Sequence, residues 1–362
     1  MKNILVSRKF GETIAAVLVD GKLEEIYSES ETNPRLSGNI YKGRVQNILP
    51  GMNIAFVDIG RDKNAFLQFK SSQKISIEQS ILIQIEKEAA GTKSARATLN
   101  VSLAGRLLIF LPTVGYIGVS NKIHGDERNR LHALAKKIRP SEAGLIVRTA
   151  AQGCDEESML DELAELQKLW EHILERFSKR KPPALLYSDN DLIEKIIRDE
   201  PDFDKFIVDN LKVLHRLGEL VPPEKFSLHE GPAKLFKTFG IAEEISNVHK
   251  RELLLPSGGQ IVFDKTEALT AIDVNTNKFV GRNFDETILR TNLEAAEIIL
   301  RQLRLRDLGG IIIVDFIDMA SDDDKRTLMN FLRERARLDR NKTMIVDMTP
   351  LGLVEITRHS QS

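Results

Sequence analysis

The chain has 362 residues, 42% of them apolar and 29% charged, which is enough for two to four subdomains with cores of their own. Its 52 Lys and Arg against 53 Asp and Glu leave a formal charge of −1, so it is no uniformly basic binder, and any contact with nucleic acid must come from local patches. One cysteine, Cys154, excludes an intrachain disulfide framework and a multi-cysteine zinc site, and no run approaches the ~18 apolar residues of a membrane span; a cytoplasmic protein of a reducing compartment is expected.

The opening MKNILVSRKFGETIAAVLVDGKLEEI carries charges throughout, unlike a signal peptide. Residues 3–7 and 13–19 read as strands joined by KFGE and 22–27 as a third, a β-meander. After NPRLSGN, the segments IYKGRVQNILPGMNIAFVDIGRDKNAFLQF and ISIEQSILIQIEKE have the short, glycine-spaced strands of a small barrel. Alternation in MNIAFVDIG sets Ala55, Val57 and Ile59 on one face and Ile54, Phe56 and Asp58 on the other; Phe66 alternates in the same way with Ala65 and Leu67. Two aromatics on the wetter face of a barrel form a base-stacking platform, and a pair that simply fills core fits the spacing too. AGTKSARAT, at 90–98, reads as a loop or hinge.

From 99 to 150 strands and a helix mix: LNVSLAGRLLIFLP, the helix ERNRLHALAKKI, and GLIVRTAA. The last ends on Arg148 and Thr149, a guanidinium fork beside a hydroxyl that suits a terminal phosphate, or an ordinary surface pair. Helical periodicity fills 155–178 and stops at SKRKPPA, a linker candidate; LIEKIIRD and FDKFIVDN have mixed character. The final third alternates strand and helix: a hairpin from ELLLPSGGQIVFD and ALTAIDVN, the helix FDETILRTNLEAAEIILRQLRLRDL, the strand GGIIIVDFIDM, the helix DDDKRTLMNFLRERARLDR and the strand TMIVDM.

Two aspartates, Asp273 and Asp315, stand in apolar runs that look like buried strands, where an unpaired carboxylate is costly. Asp273 and Asn275 are two apart and share a strand face. If the two strands are neighbours, these oxygens converge into a site suited to Mg²⁺; solvated or Arg-paired aspartates are the alternative. DDD at 322–324 reads as a solvated helix start, and the basic clusters SKRK, RQLRLR and RERARLDRNK as solvated helix faces. The seven histidines lack metal-ligand spacing, and Cys154 has no evident base.

The segments LPSGGQIVFDKTEALTAIDVNTNKF, TNLEAAEIILRQLRLRDLGGIIIVDFIDM and GRVQNILPGMNIAFVDIG together resemble the catalytic region of the ribonuclease E/G family, in order and over essentially the whole chain. The resemblance implies an α+β and α/β composite: an RNase H-like subdomain from 1–36 and 185–250, an inserted S1 (OB-fold) barrel at 37–98, a 5′-sensor region at 99–184 and a deoxyribonuclease I-like catalytic subdomain at 251–362. By the same resemblance Asp273 and Asp315 hold magnesium, with manganese as a substitute, and Asn275 lies near the scissile phosphate. Phe56, Phe66 and Lys93 contact RNA; Gly105, Ile109, Arg148 and Thr149 form a pocket for a 5′-monophosphate, with Lys342 where the family usually has an arginine. The implied activity is Mg²⁺-dependent endonucleolytic cleavage of single-stranded, AU-rich RNA in RNA processing and decay, preferring 5′-monophosphorylated ends and leaving 5′-phosphate and 3′-hydroxyl termini. The family's C-P-x-C-x-G-x-G element and small domain have no counterpart here, so the expectation is a zinc-free monomer or weak homodimer without membrane partners, not a zinc-bridged tetramer. The alternatives are an RNA-binding or regulatory protein of the same fold with little activity, and a Mg²⁺ phosphodiesterase acting on DNA or small nucleotides.

Overall fold

Strands β1 (Lys2–Lys9), β2 (Glu12–Val19) and β3 (Lys22–Ser30) open the computed structural model as the expected meander, β1 and β2 antiparallel. The structure describes residues 1–9, 11–30, 35–88, 94–189, 191–231, 234–276 and 284–360. It divides into two compact units, Met1–Ser28 with Phe203–Ser362, and Glu29–Asp202.

The unit within 29–202 begins with β4 (Ile40–Leu49), β5 (Ile54–Asp58), β6 (Ala65–Gln68), β7 (Ser80–Lys87) and β8 (Arg96–Thr98). They close into a five-stranded barrel, β4-β5-β6-β8-β7 and back to β4. The pleat sends Ala55, Val57, Ala65, Leu67, Ile83, Ile85 and Ala97 into its core. Part of the stretch expected as a loop is therefore a barrel strand: β8 is three residues long with one buried apolar side chain, Ala97, too short a pattern to stand out in sequence.

Next come β9 (Leu103–Ala104), β10 (Leu108–Leu111), β11 (Ile117–Val119), α1 (Gly125–Ile138), β12 (Gly144–Val147) and α2 (Glu156–Lys179). The strands form a sheet in the order β11-β12-β10-β9. One stripe of each helix, Leu131 and Ala135 of α1 and Met159, Leu163, Leu166 and Ile173 of α2, shares a core with Leu103, Leu108, Phe110, Leu145 and Val147. Asp155 caps α2 by accepting from Ser158 N at 2.9 Å. The SKRKPPA stretch lies inside this unit and joins α2 to β13 (Ala184–Tyr187), which pairs antiparallel with β4; α3 (Leu192–Asp199) follows.

The other unit resumes with β14 (Lys205–Val208), α4 (Leu211–Leu220), β15 (Phe226–Leu228), α5 (Leu235–Thr238) and α6 (Ala242–Asn247). Parallel pairing of β14 with β1 and of β15 with β14 completes a mixed sheet, β15-β14-β1-β2-β3. A second sheet is built from β16 (Glu252–Leu254), β17 (Gln260–Lys265), β18 (Leu269–Asn275), β19 (Gly310–Asp315), β20 (Thr343–Met348) and β21 (Leu353–Arg358), with α7 (Phe284–Leu305) and α8 (Asp322–Ala336) between strands. Its order is β16-β17-β18-β19-β21-β20. The parallel β18–β19 pair is bridged by α7, the long connection that parallel neighbours require. Strand β21, absent from the sequence reading, runs antiparallel between β19 and β20; LVEITR alternates, but with only two buried aliphatics, Val354 and Ile356.

Helices α7 and α8 cover one face of this sheet, packing Ile299, Leu303, Leu328 and Leu332 over Ile272, Val274, Ile312, Val314 and Ile356. The other face carries Ala271, Asp273, Asn275, Ile311 and Asp315, all exposed. The two aspartates are thus not buried, contrary to expectation. Their parity is opposite to that of Ile272 and Val314, and the unbroken run IIIV hid the alternation because Ile311, 52% exposed, also faces outward. Among the described residues no helix is long and apolar enough to cross a membrane.

Candidate active site

On the open face, β18 and β19 run in parallel with Asp273 directly opposite Asp315, the last matched pair of the ladder. Asn275 follows on the same face, and its Nδ2 donates to Asp273 Oδ2 at 2.5 Å. Asp315 is held above the ordinary carboxylate range by partial desolvation, then by the neighbouring charges of Asp273 and Asp318. Like charges gathered at one strand end, with an amide fixing one of them, fit a divalent cation, which would relieve the repulsion. Among the described residues no three His, Cys, Asp or Glu make a complete ligand set. A magnesium-type ion retains waters and takes one or two carboxylates together with substrate phosphate oxygens, so Asp273 and Asp315 are the residues that could hold one. The acidic start of α8 is a different matter: Ser321 caps it, and Asp322 and Asp323 pair with Lys325 and Arg326, so it is the solvated helix start its sequence suggested.

In the barrel, Phe56 and Phe66 face each other across β5 and β6 with ring centroids 6.3 Å apart and planes at 76°. Both rings are half-buried, whereas their neighbours Ala55, Val57, Ala65 and Leu67 are fully enclosed, so the two aromatics lie on the outer face as the alternation predicted. Arg96 is the β8 register partner of Phe66, an exposed cation that pairs with Glu86 at 3.3 Å and that sequence reasoning did not single out. Lys93 lies outside the described residues.

A third cluster is organised around Arg148, where β12 ends. The guanidinium donates from Nη1 to Gly105 O at 2.6 Å and from Nη2 to Asp199 Oδ1 at 2.8 Å. Its backbone N–H bonds Leu107 O at 2.8 Å, which ties it twice to the turn between β9 and β10. The carboxylate of Glu162, on α2, accepts from the backbone N–H groups of Arg106, of Leu107 at 2.7 Å and of Leu108 at 2.9 Å. A Cβ at Gly105 would lie 2.6 Å from Glu162 Oε1, so any larger residue there would displace the Glu162 carboxylate. Ile109, half-buried, follows on β10, and the exposed Thr149 shares a 2.9 Å hydroxyl contact with Ser120. Gly105, Ile109, Arg148 and Thr149 therefore belong to one unit, and Gly105 touches Arg148 directly. Lys342 belongs to the other unit, exposed just before β20, with its carbonyl accepting from His359 N at 3.0 Å.

Ser120, Glu162 and Asp199 escaped the sequence reading. Each reaches its partner across 29 or more residues, and no local pattern marks such a contact.

Comparison with known proteins agrees with the resemblance read from the motifs. A profile described as the ribonuclease E/G family matches residues 102–361. Ribonuclease G of Salmonella typhimurium (strain SL1344) is 38% identical over 98% of this chain and 79% of its own length. Ribonuclease G of Haemophilus influenzae is 38% identical over 96% of this chain and 77% of its own. Ribonuclease E of Escherichia coli (strain K12) is 37% identical over the whole of this chain, which spans 37% of that longer protein. With the profile covering well over half its residues and relatives 37–38% identical matching nearly all of it, this chain belongs to the ribonuclease E/G family.

Proposed function

We propose that the chain is a divalent-metal-dependent endoribonuclease that cuts single-stranded RNA and prefers 5′-monophosphorylated ends. The observation that carries this reading is the in-register pair Asp273 and Asp315 at the open end of adjacent parallel strands, with Asn275 bonded to the first. Asp273 and Asp315 would hold the ion, magnesium or manganese; when bound it supplies charge neutralisation at the phosphate and a more acidic water. Asn275 keeps the Asp273 carboxylate oriented and offers a polar group beside the scissile phosphate. Water attacks phosphorus in line and the bond to the 3′ oxygen breaks, giving a 5′-phosphate and a 3′-hydroxyl.

Phe56 and Phe66 supply stacking surface that accepts any base, so the barrel adds affinity with little sequence selectivity, and the AU-rich preference then reflects how readily such RNA stays single-stranded. Arg148 and Thr149, assisted by the turn at Gly105 and by Ile109, bind the 5′-monophosphate. In this reading the sheet β15-β14-β1-β2-β3 is the RNase H-like part, the five-stranded barrel the S1 domain, β9 to α2 the 5′-sensor and the β16–β21 sheet the deoxyribonuclease I-like part.

The test is cleavage of a 5′-monophosphorylated, AU-rich single strand, its duplex and its DNA counterpart, each with Mg²⁺ and with EDTA. Metal-dependent cutting of the single-stranded RNA alone is expected. Binding of that RNA without cutting would favour the RNA-binding alternative, and equal cutting of the DNA would favour a general phosphodiesterase.

A further inference from the structure

The turn that joins β9 to β10 is held by the side chains of Glu162, Arg148 and Arg198. Glu162 takes the N–H groups of three successive residues, Arg106, Leu107 and Leu108, an arrangement that backbone amides adopt around an anion. Arg148 holds the carbonyls of Gly105 with its side chain and of Leu107 with its backbone. Behind it, Asp199 accepts from Arg148 at 2.8 Å and lies 3.7 Å from Arg198 Nε. Arg198 in turn donates to Asp189 at 3.1 Å and to Ala104 O at 3.3 Å. The Arg148–Asp199 pair is well shielded, with side-chain exposures of 24% and 15%, so this contact is screened little by water.

Among the described residues, two of the five N–H donors of the Arg148 guanidinium are used, one on Gly105 O and one on Asp199, and the rest can serve a ligand. A long side chain normally loses rotamer freedom when it binds, and here that loss has already been taken during folding. We propose that Glu162 and Asp199 are positioning residues for 5′-end recognition: Glu162 fixes the turn that presents Gly105 O, Asp199 fixes the opposite edge, and together they hold Arg148 ready for a phosphate monoester. The inference rests on the reading of Arg148 as the 5′-phosphate ligand. Neither carboxylate touches the phosphate; both act through the arginine, and their strength sets how strongly a 5′-monophosphate is favoured over a 5′-hydroxyl.

The test compares kcat/KM on one RNA carrying either a 5′-monophosphate or a 5′-hydroxyl, in the intact chain with Mg²⁺, for wild type, Arg148→Ala, Glu162→Ala, Glu162→Gln, Asp199→Ala and Asp199→Asn. The ratio of the two constants should fall about three- to tenfold in each of the Glu162 and Asp199 alanine variants, expressed mainly in KM, the size expected when one long side chain must be ordered anew. The amide variants should lie between wild type and alanine, because the side-chain oxygen kept in Glu162→Gln can still accept from the turn's N–H groups and the one kept in Asp199→Asn can still accept from Arg148. They also keep the comparison readable if an alanine variant folds poorly. Equal slowing of both substrates would make the carboxylates part of the fold only, and a raised ratio would make them competitors of the phosphate; either overturns the proposal. Arg148→Ala separates the two layers: if it leaves the ratio unchanged, the 5′-end reading fails and takes the proposal with it, whereas a fall in Arg148→Ala with no fall in the carboxylate variants removes the positioning role alone.

Discussion

Phe56 and Phe66 show how one degree of burial decides between two roles. A core phenylalanine is fully enclosed, and its loss costs ~3–5 kcal/mol of stability. These two are half-buried on the outer face of β5 and β6, so alanine at either position should leave the melting temperature nearly unchanged while weakening single-stranded RNA binding by about 1–3 kcal/mol. Calorimetric melting alongside fluorescence-anisotropy titration separates the outcomes; early melting with normal binding would return both rings to the core. The opposite case is Arg358, whose side chain is 2% exposed and is held by Asp339 at 2.8 Å, itself 4% exposed, and by Leu308 O at 2.8 Å. Arg358→Met removes the guanidinium that both Asp339 and Asp307 contact and should cost about 3–5 kcal/mol, read from urea unfolding midpoints. At this scale the outer placement of the aromatics was legible because alternation in a strand is strict. The exposure of Asp273 and Asp315 was not, because apolar side chains also occupy the open face of β19 and disguise its parity.

Among the elements, β21 joins the edge strand β20 to the sheet that carries the carboxylates. It pairs with β19 from Gly310 to Asp315 on one side and with β20 on the other, and its Val354 and Ile356 are completely buried beneath α7 and α8. A chain ending at residue 352 would lose both ladders and strand β20 at the edge. Such a truncation should lose the cooperative unfolding of this unit, and Ile356→Ala within the full chain should destabilise it by about 2–5 kcal/mol in the same urea assay. An unchanged unfolding curve for either variant would show that β21 does not stabilise the sheet. Long, strongly periodic helices such as α2 and α7 were legible from sequence. The short strands β8 and β21 were not, since each is defined by partners distant in the chain and not by its own few residues.

For the molecule as a whole, the chain returns to its beginning: β1 pairs with β14, matching Asn3 to Lys205, so the first 28 residues fold with the last 160 and the barrel unit is an insertion between them. The resemblance to one family was readable because its motifs fall in order along the whole chain, while the pairing that brings Asp273 opposite Asp315 required the sheet. The claim that joins these levels is that this carboxylate pair is the metal-dependent cutting site. Its most direct test is single-turnover cleavage of a 5′-monophosphorylated single-stranded RNA with Mg²⁺ by wild type, Asp273→Asn and Asp315→Asn, with RNA affinity measured on the same preparations. Each substitution should slow cleavage by orders of magnitude, since metal-held charge stabilisation is worth several kcal/mol and each ~1.4 kcal/mol is tenfold in rate, while affinity stays near wild type. Near-normal cleavage by either variant would place the chemistry elsewhere in the protein.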